Sequence, residues 1–81
     1  MEANFSVKWK ADLKAMACRN ISNNIVVGFE RKRGALIGKI KDMPFELLVE
    51  WSKKPNGVKL LKDAVLEAER TFFNAYFANR Q

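Results

Sequence analysis

The chain has 81 residues, 48% of them apolar and 30% charged, with a net charge of +6. That length allows one small domain and the composition suits a soluble globular core, not a disordered segment. There is no histidine and one cysteine, Cys18. These counts exclude histidine-dependent catalysis, the usual structural zinc site and an internal disulfide. No metal or cofactor is expected, and the chain reads as a non-catalytic protein.

The charge is unevenly spread. Residues 1–41 carry nine basic and three acidic groups, whereas residues 42–81 carry six of each. The excess lies wholly in the first half, which points to an anionic partner there, nucleic acid (DNA or RNA) above all. The bland alternative is a solubilising surface. No apolar run reaches the length of a membrane span, and Met-Glu-Ala-Asn lacks the basic opening of a secretory signal. A cytoplasmic protein with no membrane partner is expected.

In chain order, residues 5–20 fit two periods. Phe5, Val7, Trp9, Ala11 and Leu13 alternate as in a strand, yet Phe5, Trp9, Leu13, Met16 and Ala17 share one helical face. The alternation stops after Leu13 and the content favours helix, so the reading is an N-terminal helix capped by Asn4. Residues 25–40 hold three glycines and two apolar runs with β-branched residues, the first also containing Phe29, around Arg31-Lys32-Arg33-Gly34. They predict a short β-hairpin. Asp42 then caps a short helix with Pro44 in its first turn, and Pro55-Asn56-Gly57 ends it. The last helix, about 58–79, carries a seam of Val58, Leu61, Val65, Ala68, Phe72 and Ala75. A second stripe holds Leu66, Phe73 and Phe77. The expected fold is α+β and mostly helical: helix, hairpin, short helix, long helix, dimeric, in a single domain over 1–81.

Arg31, Lys32 and Arg33 at the hairpin tip are the first candidate for binding phosphates, with Lys8, Lys10, Lys14 and Arg19 extending the surface. The competing reading is a solvated turn whose charges discourage edge pairing. Leu66, Phe73, Tyr76 and Phe77 are the candidate interface, for a homodimer or a larger protein partner. Phe72 reads as core. Trp9 and Trp51 could stack bases but fit core positions better. Glu46 and Glu50 read as a solvated face, and Cys18 as a small packing residue. A helix-turn-helix over residues 43–79 would have only Lys59 and Lys62 at the start of its recognition helix. The leading expectation is a small nucleic-acid-binding or regulatory protein that self-associates through its C-terminal helix. The alternative is an adaptor or inhibitor docking through that helix.

Overall fold

The structure, a computed structural model, describes residues 8–79. It has four strands followed by two helices: β1 (Trp9–Asp12), β2 (Ala17–Asn20), β3 (Val26–Lys32), β4 (Ala35–Asp42), α1 (Phe45–Ser52) and α2 (Gly57–Asn79). The strands form one antiparallel sheet in the order β1-β2-β3-β4. The expected N-terminal helix is therefore corrected to a strand hairpin. Of the described residues 44% are helical and 32% are strand, so the fold is not mostly helical. The Asn4 cap and Phe5 lie outside the described residues.

The alternation stops after Leu13 because the strand turns there. Residues 13–16 form the turn, closed by the Ala15 N–H donating to Asp12 Oδ1 at 3.1 Å, and Met16 adopts a left-handed φ of 54°. A non-glycine residue rarely takes that conformation, so nothing in the composition announces the turn. Once β1 and β2 pair, Trp9 lies opposite Asn20 and Ala11 opposite Cys18. These four share the covered face, because strand residues alternate between faces.

Asn20 organises the next connection. It is a buried polar residue whose Oδ1 accepts the N–H groups of Ser22 (2.8 Å) and Asn23 (3.0 Å). The side chain thus replaces backbone partners that the 21–25 segment lacks. The β3–β4 hairpin agrees with the sequence reading. Its turn falls at Arg33 and Gly34, both with positive φ. Asp42 does not cap α1. It ends β4 and accepts the Met43 N–H, while Pro44 occupies the cap position without a side-chain bond.

The core forms where α2 crosses the covered face. Ala64, Ala68 and Phe72 meet Trp9, Cys18, Ile25, Val27 and Phe29, all buried. Small Ala64 and Ala68 let the helix approach the sheet closely, and Phe72 stacks on Phe29 with centroids 4.3 Å apart and planes 9° apart. Phe29 also pairs across the sheet with Gly38, where an added Cβ would lie 2.8 Å from its ring. At the other end, Trp9 Nε1 donates to Glu67 Oε1 at 3.1 Å, which sets the rotation of α2 about its axis. Among the described residues, no helix is long and apolar enough to cross a membrane.

Two stability changes are expected. Asn20→Ala leaves two backbone donors without their acceptor and lowers unfolding free energy by about 2 kcal/mol, read by urea titration. Gly38→Val drives a side chain into Phe29 and costs about 1–3 kcal/mol, read the same way with loss of near-ultraviolet dichroism.

Candidate nucleic-acid interface

One face of the sheet carries α2, and among the described residues the other carries no secondary structure. Strand alternation decides which side chains reach the open face. The register aligns Lys10 of β1 with Arg19 of β2 and Val26 of β3, and aligns Asp12, Ala17, Gly28 and Lys39 in the next row. Lys10, Arg19 and Lys39 are exposed. Lys41 joins them through an irregularity. The register shifts between Val26 and Val27, leaving Lys41 as an extra residue on β4. Its stem lies over Gly28, where an added Cβ would come within 3.3 Å of Lys41 Cδ. The bare backbone at Gly28 is what seats that lysine.

The open face thus gathers Lys10, Arg19, Lys39 and Lys41 from three strands. Neighbouring strands are about 4.8 Å apart, so Lys10 and Lys39 are separated by about 14 Å across the sheet and by one further row along it. Ala17, Val26 and Gly28 form a low floor between them. The acidic groups on this face are Asp12, Glu30 and Asp42, the last opposite Val26 past the register shift. Glu30 is engaged by Lys32 at 3.7 Å. Lys10, Arg19, Lys39 and Lys41 form no ion pair among the described residues. Arg19 donates to the Asn24 side-chain oxygen at 3.3 Å.

The structure divides the Arg31-Lys32-Arg33 run. Arg31 lies opposite Leu36 on the covered face, and its guanidinium donates to the Tyr76 hydroxyl. Lys32 points to the open face beside Glu30, and Arg33 occupies the turn. Adjacent strand residues face opposite ways, so three consecutive cations cannot act as one cluster. Lys8 borders a separate cleft with Trp9, Glu67 and Arg70, and exposed Lys14 lies in the 13–16 turn. Lys39 and Lys41, absent from the sequence-based candidates, share the open face with Lys10 and Arg19. Alternation from residue 35 carries the signal for Lys39 once the hairpin is accepted, whereas the irregularity at Lys41 has no local signal.

Trp9 is 4% exposed, with its ring in the core and its Nε1 donating to Glu67 at the core's edge, so it cannot stack a base. Trp51 packs half-buried against the core. Glu46 and Glu50 are exposed, with Glu50 3.7 Å from Lys54. Among the described residues, no group of three or more histidine, cysteine or acidic side chains could hold a metal ion. Of the interface candidates, Leu66 and Phe77 are exposed. Phe73 is half-buried against Phe29, and half-buried Tyr76 stacks on Phe72.

Comparison with family models, curated proteins and solved structures finds no match for the chain.

Cys18 is fully buried beneath α2, and desolvation pushes its thiol pKa up from 9.0 to about 11. The folded state therefore holds this proton more tightly than the unfolded state. The resulting stability is complete below about pH 9 and is lost as pH rises towards 11. At pH 8, iodoacetamide should leave Cys18 unmodified in native protein and alkylate it in denaturant, as followed by intact mass.

Proposed function

We propose that this protein is a non-catalytic nucleic-acid-binding protein that holds the phosphate backbone on the open face of its sheet. The observation that carries the reading is the convergence of Lys10, Arg19, Lys39 and Lys41 on one uncovered surface. Four cations with no carboxylate partner among the described residues keep their charge available for phosphates. Among the described residues, no aromatic ring lies on this face: Trp9 and Phe29 are in the core, and the other rings belong to the helices. Contact with charges and without rings favours the backbone over unstacked bases, so affinity is sequence-tolerant and dominated by counterion release. Lys32 and Arg33 extend the positive surface towards the hairpin tip, whereas Arg31 braces that tip against α2 through Tyr76.

The test is fluorescence anisotropy with labelled single- and double-stranded DNA and RNA. Four phosphate contacts should reduce affinity by about 100-fold between about 50 and 200 mM salt. Lys39→Gln and Lys41→Gln together should weaken binding and flatten the log–log salt slope by about 1.8, whereas Arg31→Gln should leave the slope unchanged. A slope unaffected by the lysine pair would remove the open face from the contact. A second reading, docking on a larger protein, draws on exposed Leu66 and Phe77. Failure to bind any probe at the lower salt would favour it.

A further inference from the structure

A second surface is set by the helix that closes the core. With Ala64, Ala68 and Phe72 turned to the sheet, the 3.6-residue period turns Val58, Lys62, Leu66 and Phe77 away from its centre, with half-buried Glu69 and Phe73 at the border of the stripe. Val58 is 70% exposed, Leu66 60% and Phe77 56%. Large apolar groups at such exposure form a stripe that a soluble chain normally covers. Beside Leu66 lies a shallow, mainly apolar hollow of about 350 Å³, bordered by Ile40, Leu61, Val65, Lys62 and Glu69.

We infer that this stripe binds a second copy of the chain, with the two α2 helices antiparallel about a two-fold axis between Val65 and Leu66. The charge pattern selects that occupant. Lys62 and Glu69 flank the centre of the stripe on opposite sides. They stand two helical turns apart, about 10 Å, too far to pair with each other, and neither forms an ion pair among the described residues. Antiparallel pairing brings Lys62 against the partner's Glu69, and symmetry repeats the contact on the other side of the axis. The same rotation sets Leu66 against the partner's Val65, at the edge of the partner's hollow, and Val58 against the partner's Phe73. Parallel pairing would oppose lysine to lysine and glutamate to glutamate. The stripe is thus self-complementary in one orientation only. The dimer leaves both basic sheet faces uncovered, so it stands independently of the nucleic-acid reading.

Sedimentation equilibrium of the full chain across the micromolar range tests this. Wild type should reach twice the 9.3 kDa monomer mass. Leu66→Asp should remain monomeric with unchanged far-ultraviolet dichroism. Lys62→Glu or Glu69→Lys alone should weaken dimerisation by about tenfold, since each change acts twice across the axis. Lys62→Glu with Glu69→Lys should restore wild-type affinity. A wild-type monomer throughout the range would overturn the inference. So would a Leu66→Asp dimer, or a double reversal no tighter than the single ones. If Leu66→Asp does not fold, the charge series decides alone.

Discussion

The stacking of Phe72 on Phe29 is the contact on which the rest of the molecule depends. An antiparallel meander of four short strands has two faces, and it is stable only when something apolar covers one of them. Phe29 sits over Gly38 on β4, so the ring joins two strands before the helix arrives. Phe72 then docks flat on it, and Ala64 and Ala68 bring the upstream turns of α2 down onto the sheet. Aromatic area and close backbone approach are gained together.

That one choice of face has consequences on both sides of the molecule. Because α2 covers Trp9, Cys18, Val27 and Phe29, the alternate residues on the same strands must face water. Those alternates are lysine, arginine and small side chains, with Asp12 and Glu30 among them. The basic surface is thus the reverse side of the core pattern, written into the same strands. In the same way, fixing the inner stripe of α2 determines its outer stripe, where Leu66 and Phe77 remain exposed.

The details of the sheet sharpen the charge distribution. An extra residue on β4 brings Lys41 onto the open face, and a glycine at position 28 gives its stem a place to lie. Conversely, the most conspicuous basic run, Arg31 to Arg33, is dispersed by strand geometry, with its first member bound to Tyr76. Linear charge density is a poor guide to surface charge on a strand, because neighbours in sequence point in opposite directions.

The sequence by itself determined the elements whose signals are local. The second hairpin follows from β-branched runs around a basic, glycine-containing turn, and both C-terminal helices follow from periodicity and the Pro55-Asn56-Gly57 stop. The packing of Phe72 in the core was legible too, whereas Cys18 read only as a small packing residue and lies fully buried in the core. Residues 9–20 were not, since Trp9, Leu13, Met16 and Ala17 satisfy a helical face as well as an interrupted strand pattern. Only pairing with β3 and burial of Trp9 against Glu67 select the strands, and the turn between them rests on Met16 in a conformation that its side chain does not advertise. The candidate site followed the same division. Net charge and its N-terminal bias are properties of composition, whereas bringing Lys10, Arg19, Lys39 and Lys41 together requires a sheet register set by long-range pairing. Tertiary structure decided that grouping because the free energy selecting the register comes from burying the opposite face, and no local window of sequence contains that term.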